Sequence, residues 1–176
     1  VIMETKFAII SRLSAENPEM VFNQLMHHFN KENLLSWYQS LKGKAAVGID
    51  GMTKEKYGEN LEENLDALLR KLKTMSYIPG PVKQILIPKE GRSGATRPLG
   101  IGNFEDKIVQ KGVQKILEAI YEPLFWDCSY GFRPKLGCHD AIKALRGHLY
   151  SQSVRNFIDL DLSNYFGTID HDLLMA

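Results

Sequence analysis

The chain has 176 residues, 44% apolar and 24% charged, which is the balance of an ordinary folded domain and not of a disordered or fibrous chain. With two cysteines and no apolar run near the roughly 20 residues of a membrane span, it excludes a disulfide scaffold and a membrane-spanning protein. Residues 70–115 carry 10 basic and 3 acidic side chains, a net charge of +7, whereas residues 1–69 (7 basic, 10 acidic) and 116–176 (5 basic, 8 acidic) each carry −3. A basic middle is consistent with a nucleic-acid or nucleotide site and equally with a solvated surface.

The first half of the chain is predicted to be mainly helical. Apolar residues recur every three or four positions over residues 18–42, and Asn30 is placed to break or cap this pattern between two helices. The glycine-rich residues 43–53 predict a loop, and Thr53 can cap the long helix that follows. Two prolines within residues 77–81 exclude regular structure there, because proline has no backbone N–H to donate.

A short β-hairpin is predicted next. Residues 82–88 and 96–101 are expected to pair across a turn at residues 90–95. Asn103, followed three residues later by Asp106, resembles the start of a helix, and a long apolar stripe continues from there. The hairpin and this helix together cover most of the basic middle of the chain.

The last third alternates irregular and regular segments. We expect an irregular stretch over residues 129–137, a helix over 139–150, a strand over 154–162 and a short helix over 170–175. Helices dominate, strands are few, and no strand–helix–strand alternation occurs. This pattern predicts an α+β fold and not a doubly wound sheet.

Four aspartates lie close together near the end of the sequence. Asp159 and Asp161 fall within the predicted strand 154–162, and alternation places both on the face opposite its apolar side chains. A carboxylate there costs free energy unless it is paired or binds a cation such as Mg²⁺, so a metal-ligand role and a structural role are both open for Asp161. Asp170 is interpreted as a helix cap, and Asp172 as a favourable charge in the first helical turn.

Eight stretches in a fixed order resemble the reverse transcriptase domain of group II intron-encoded proteins and of related bacterial retron-type enzymes. The resemblance runs from about Gly43 to Met175. It is carried by AVGIDGMT (46–53), YIPGPVKQILIPK (77–89), RPLGI (97–101), DKIVQ (106–110), LEAIYEPLF (117–125), SYGFRP (129–134), CHDAI (138–142) and DLDLSNYFGTIDHDLLM (159–175).

The resemblance implies a right-hand polymerase with an α+β fold. It predicts an N-terminal helical extension over residues 1–42, a helix-rich fingers subdomain with a short β-hairpin over 43–153, and the first strand of the palm over 154–176. In this family the first metal-binding aspartate works beside an adjacent Asp-Asp pair on a later hairpin. Because no Asp-Asp pair occurs here, we expect the chain to be truncated before that hairpin and to be inactive alone.

The resemblance also implies a catalytic and nucleotide-binding site. Asp161 matches the first Mg²⁺-binding aspartate of the palm. Lys89 and Arg97 match fingers residues that grip the triphosphate, and Arg92 is a rival because the intervening turn is longer than usual. Phe166 matches the bulky residue beneath the incoming sugar, with a core aromatic as the alternative. The backbone that would pass near the triphosphate comprises Ser163, Asn164 and Tyr165.

The implied template and primer contacts lie elsewhere in the chain. Gln110 and Arg133 would face template or primer, and Tyr130 and Phe132 could stack on bases, although burial in a core explains aromatic residues equally well. The loop at residues 46–53 matches a family segment that covers the template.

Two functions follow from the resemblance. The first is a part of an RNA-directed DNA polymerase of a group II intron, with an intron RNA template, a DNA or RNA primer and dNTPs as partners. The alternative is an RNA-binding, maturase-type module without polymerase activity, whose RNA binding would depend strongly on salt. We expect a cytoplasmic location in association with nucleoid or ribonucleoprotein, expect no membrane partner, and leave a homodimer open.

Overall fold

Seven α-helices and one two-stranded antiparallel sheet are present in residues 5–88, 94 and 96–175, the part of the chain that the computed structural model describes. The α+β class expected from the sequence is therefore confirmed. The chain divides into two compact units, the first ending at Phe125 and the second beginning at Trp126. This boundary lies inside the predicted fingers segment, and the division into extension, fingers and palm stays a prediction.

The N-terminal helices differ from those predicted. Helix α1 (Lys6–Glu16), which the sequence interpretation did not place, begins where Thr5 Oγ1 accepts a hydrogen bond from Ala8 N–H (3.3 Å). Of the two helices predicted within residues 18–42, the one before Asn30 is wrong, because only a 3₁₀ turn forms there, at Leu25–His28. Val21 in that half is 83% exposed, so little packing would hold a helix there.

Helix α2 (Lys31–Ser40) begins at Asn30, as predicted, and the Asn30 side chain accepts a hydrogen bond from Asn33 N–H (2.9 Å). The loop at residues 43–53 is also confirmed.

The helix predicted after Thr53 is two helices, α3 (Lys54–Glu59) and α4 (Leu61–Lys73). Thr53 caps α3 as expected, because its Oγ1 accepts a hydrogen bond from Lys56 N–H (3.2 Å). Residues 77–81 form neither helix nor strand, as predicted.

The predicted hairpin is confirmed. Strands β1 (Lys83–Pro88) and β2 (Thr96–Ile101) pair in antiparallel fashion, from Lys83 opposite Ile101 to Pro88 opposite Thr96. Apart from Gly94, the predicted turn at 90–95 lies outside the described residues.

Helix α5 (Phe104–Tyr121) is central to the first unit, and a 3₁₀ turn at Glu122–Leu124 follows it. Helices α1 and α2 both pack against α5, and Ser14 Oγ donates a hydrogen bond to the Ile120 carbonyl (2.6 Å). The N-terminal helices thus share one core with α4 and α5. Its buried side chains are Phe29, Leu34, Trp37, Tyr57, Leu65, Leu68, Leu72, Phe104, Ile108 and Ile116.

The second unit contains helices α6 (Cys138–Ser151) and α7 (His171–Met175), close to their predicted positions, with the irregular 129–137 stretch before α6. None of its described residues is buried. The predicted strand over residues 154–162 is wrong, since these residues form neither helix nor strand. A strand needs a hydrogen-bonded neighbour, and the sheet of the described residues contains only β1 and β2.

None of the helices in the described ranges combines the length and the apolar character that crossing a bilayer requires.

The first unit contains a buried imidazole, that of His28. His28 is 3% exposed, and its ring stacks on Phe7 with 5.0 Å between centroids. Its Nδ1 has no hydrogen-bond partner among the described residues. Burial, and then the nearby His27 and Lys6 charges, lower the pKa of His28 from its ordinary 6.5.

We therefore expect the first unit to lose stability as pH falls below about 6.5. Below that pH the unfolded chain binds a proton at His28, whereas the folded chain does not. The loss of folding free energy therefore grows until the pH reaches the lowered pKa of His28 in the folded chain. Above pH 6.5 both states are neutral at this site and the penalty is absent. Denaturant unfolding between pH 5 and 8 should show a smaller pH dependence in His28→Leu, whereas the exposed control His148→Leu should behave like the wild type. Identical pH profiles for His28→Leu and wild type would contradict this assignment.

Candidate functional site

The predicted metal ligand Asp161 lies in the stretch of the second unit that forms neither helix nor strand. Asp159 and Asp161 are both exposed, and so are the apolar neighbours Ile158 (80%), Leu160 (87%) and Leu162 (72%). No group of three or more His, Cys, Asp or Glu side chains in the described part of the chain could hold a metal ion. Asp161 thus supplies an accessible carboxylate but not a complete metal site.

A compact turn follows Asp161 and presents two aromatic rings. Asn164 adopts a left-handed conformation (φ 50°, ψ 39°), and a 3₁₀ turn spans Tyr165–Gly167. Thr168 Oγ1 closes the turn by donating to the Tyr165 carbonyl (3.0 Å). The rings of Tyr165 and Phe166 meet edge to face at 5.3 Å, and Phe166 is 82% exposed. Phe166 is therefore not buried in a core formed by the described residues.

The structural interpretation of the last two aspartates is confirmed. Asp170 Oδ1 accepts hydrogen bonds from the backbone N–H groups of Asp172 (2.9 Å) and Leu173 (3.1 Å). Asp172 lies in the first turn of α7. Both carboxylates stabilise the start of this helix.

The loop that contains SYGFRP is held by its own arginine. Arg133 Nη1 donates to the carbonyls of Trp126 (3.0 Å) and Ser129 (2.9 Å). Phe132 adopts a positive φ of 59° and is fully exposed, whereas Tyr130 is partly buried. Arg133 therefore braces the loop, and Phe132 is the side chain that the loop presents to solvent.

The hairpin carries Arg97 in the first unit. Arg97 lies opposite Ile87, so its side chain shares a face with Ile85 and Leu99, which are 40% and 46% exposed. Lys89 and its rival Arg92 lie outside the described residues. Gln110 is exposed on α5, where its side-chain amide lies near Gly102 at the end of the hairpin.

Two consecutive carboxylates at the start of α5 were not identified from sequence as site residues. Glu105 accepts from Lys71 Nζ (2.8 Å) and from the Tyr57 hydroxyl (3.4 Å). Asp106, only 6% exposed, accepts from the Tyr77 hydroxyl and from Gly80 N–H (3.1 Å). The position of Asp106 in DKIVQ, in the first turn of a predicted helix, was the only sequence signal for it.

Burial and these contacts raise the pKa values of two phenols. Burial first, and then the Glu105 carboxylate, raise the pKa of Tyr57 far above its ordinary range. Burial and then the Asp106 carboxylate do the same to the pKa of Tyr77. Both hydroxyls therefore donate hydrogen bonds at any physiological pH. Tyr57 and both carboxylates border a cavity of about 250 Å³, which is lined by Asp50, Met52, Tyr57, Ile78, Gly80, Asn103, Glu105 and Asp106.

The candidate residues are divided between the two units. Arg97 and Gln110 belong to the first unit. The second unit contains the rest of the described candidates: Tyr130, Phe132, Arg133, Asp161, Ser163, Asn164, Tyr165 and Phe166.

The sequence of this chain is similar to those of known proteins. A sequence profile of the family described as reverse transcriptase (RNA-dependent DNA polymerase) matches residues 87–176, just over half of the chain. The chain is 34% identical over 178 residues to group II intron-encoded protein LtrA of Lactococcus lactis subsp. cremoris, covering 99% of this chain and 29% of that protein.

Two further relatives extend the comparison. The chain is 32% identical over 170 residues to an uncharacterized 91 kDa protein in the cob intron of Schizosaccharomyces pombe, covering 95% of this chain and 21% of that protein. It is 38% identical over 139 residues to protein YkfC of Escherichia coli K12, covering 77% of this chain and 36% of that protein. The chain thus spans about a fifth to just over a third of the length of these three relatives.

Proposed function

Because this chain belongs to the reverse transcriptase family, we propose that it is the fingers and the start of the palm of an RNA-directed DNA polymerase encoded by a group II intron. One observation supports this most strongly: the family profile matches residues 87–176, which contain the hairpin, the SYGFRP loop and Asp161. Identity to an intron-encoded protein over 99% of the chain supports the link to introns.

Asp161 is the proposed catalytic carboxylate and Mg²⁺ ligand. Its exposed carboxylate has the hard oxygen chemistry that Mg²⁺ prefers. The described residues do not surround it with further ligands, and the remaining carboxylates are proposed to come from sequence outside this chain. When bound, the ions would stabilise the charge of phosphoryl transfer. The isolated chain is accordingly proposed to be inactive as a polymerase.

The nucleotide and nucleic-acid contacts are assigned by side-chain chemistry. The exposed fork of Arg97 suits a triphosphate, and Lys89 completes this grip. The turn of Ser163, Asn164 and Tyr165 presents Phe166 toward the incoming sugar. Exposed Phe132 stacks on a base, while Gln110 and Tyr130 contact template or primer. Arg133 acts by its charge and by bracing the loop that contains Phe132.

Primer extension on an RNA template tests the proposed function. The full-length protein should extend a primer with dNTPs only when Mg²⁺ is present, and the 176-residue chain should not extend it at all. Extension by the isolated chain would contradict the proposed dependence on outside carboxylates. A full-length protein without RNA-templated activity under any divalent cation would contradict the polymerase assignment.

RNA binding by this chain is the second proposed function. Residues 1–86 lie outside the family profile, yet the identity to the intron-encoded relative covers 99% of the chain. The net charge of +7 over residues 70–115 gives a surface that a polyanion would favour. An intron RNA could be held by these residues even without polymerase activity.

We expect the isolated chain to bind structured RNA with an affinity that falls steeply with salt. Each lost phosphate contact lowers the slope of log K against log salt by about 0.7–0.9. Replacing the hairpin residues Lys83 and Arg97 with alanine should therefore reduce the slope, whereas replacing Lys143 and Arg146 on α6 should not. Filter binding over a salt series measures this. No binding at low salt would exclude the module, and an equal loss in the control pair would exclude the basic middle as its site.

We also propose a cytoplasmic, RNA-associated location. The two cysteines, Cys128 and Cys138, are exposed and unpaired, which suits a reducing compartment.

A further inference from the structure

In the part of the β-hairpin that the structure describes, the end of β2 next to the core is the best buried. Strand β1 begins at Lys83, three residues after Gly80, and β2 ends at Ile101, just before α5 begins at Phe104. Ile101 is 7% exposed, whereas Leu86 farther along the hairpin is 64% exposed. Both strands therefore join the helical core next to the N-terminus of α5, and we call this junction the hairpin root.

Asp106 makes the polar contacts of the hairpin root. One of its carboxylate oxygens accepts from the Tyr77 hydroxyl, and the other accepts from Gly80 N–H (3.1 Å). Tyr77 and Gly80 belong to the segment that leads directly into β1. Because a buried carboxylate is stable only when hydrogen-bonded, Asp106 and this segment hold each other in place. Its place in the first turn of α5 also favours the negative charge.

Close packing of backbone also holds the segment before β1 against the start of α5. A Cβ added to Gly80 would lie 2.0 Å from Asn103 Nδ2, and one added to Gly48 would lie 2.5 Å from Asn103 Oδ1. The Asn103 side chain therefore fills the space between two glycine backbones. Lys107 Nζ also donates to the Ala46 carbonyl (2.6 Å), which joins the loop at residues 43–53 to α5.

The neighbouring carboxylate has different partners. Glu105 contacts Tyr57 on α3 and Lys71 on α4, and makes no hydrogen bond to residues 77–83 in the described set. Glu105 thus joins helices within the core, whereas Asp106 joins the core to the hairpin. Substitutions at these two adjacent acids can therefore distinguish an effect on the stability of the core from an effect on the direction of the hairpin.

We propose that Asp106 is a positioning residue, which through Tyr77 and Gly80 fixes the direction of the hairpin and hence the place of Arg97. That the hairpin thereby presents Arg97 to a nucleoside triphosphate rests on the proposed function. The orienting role of Asp106 is independent of the proposed function, because it is argued from contacts within the first unit alone.

Distances between spin labels on the chain test the orienting role. Labels at Leu86→Cys on the hairpin and Lys73→Cys on α4, with Cys128→Ser and Cys138→Ser, should give one narrow distance peak.

Asp106→Ala and Tyr77→Phe should broaden or shift that peak, and Asp106→Asn, which keeps one acceptor, should have a smaller effect. The control Glu105→Gln should lower thermal stability and leave the peak unchanged. Tyr77→Phe removes a single hydroxyl, so it reports on the contact even if Asp106→Ala fails to fold.

A wild-type distance peak in folded Tyr77→Phe and Asp106→Asn would overturn the proposal, as would equal broadening in Glu105→Gln. In the full-length protein, Asp106→Asn should raise the KM for dNTPs more than it lowers kcat. If the peak moves but KM does not, Asp106 still orients the hairpin and the nucleotide role of Arg97 is wrong. If the full-length protein has no polymerase activity, the distance measurement decides the orienting role by itself.

Discussion

Replacing Asp161 with asparagine is expected to lower the rate of Mg²⁺-dependent primer extension by the full-length protein about a thousandfold or more. Asparagine keeps the size of the side chain and removes its charge. A carboxylate ligand contributes to several kcal/mol of charge stabilisation by the metal, and each ~1.4 kcal/mol corresponds to a factor of ten in rate. Single-turnover extension on an RNA template measures the chemical step.

Asp127→Asn is the matched control for this experiment. Asp127 is an exposed aspartate of the same unit, and no proposed contact involves it. It should extend primers at the wild-type rate, and RNA binding should be unchanged in both variants. If Asp161→Asn kept wild-type activity, Asp161 would not be the metal ligand, and a structural role would be the remaining explanation.

Replacing Arg97 with alanine is expected to raise the KM for dNTPs by roughly 10- to 100-fold. Hydrogen bonds to charged groups contribute about 1.5–3 kcal/mol, and the exposed Arg97 side chain has no hydrogen-bonded partner among the described residues that would keep it from a triphosphate. Arg97→Lys should recover part of the loss, because lysine restores the charge but not the two-pronged geometry. Steady-state extension at varied dNTP concentration measures both.

Arg70→Ala provides the comparison, since Arg70 is an exposed arginine of the same unit on α4. Its KM for dNTPs should stay at the wild-type value. An Arg97→Ala variant with unchanged KM would remove the hairpin face shared by Ile85, Arg97 and Leu99 from the nucleotide site.

Local signals predicted much of the fold. Asn30, Thr53 and Asp170 each cap a helix through a side chain that accepts from a backbone N–H two or three residues ahead. The hairpin followed from the two strand patterns on either side of a turn. These features depend on neighbours in sequence, so the sequence alone contains the information that determines them.

Features that depend on distant neighbours were missed or misplaced. The alternation over residues 154–162 predicted a strand, but a strand exists only with a partner strand, and the described residues supply none. The hairpin root was not identified, because Asp106 contacts Tyr77 and Gly80, which are 29 and 26 residues away in sequence. Arg133 was predicted to face nucleic acid, and its bracing of the Trp126 and Ser129 carbonyls could not be inferred from the motif SYGFRP.

The coding sequence beyond the codon for Ala176 shows whether Asp161 can be one member of a polymerase metal site. We predict that the reading frame continues and encodes an apolar strand followed by Tyr or Phe, one further residue and an Asp-Asp pair. A stop codon immediately after Ala176 would contradict it, because this chain could then not complete a two-metal site.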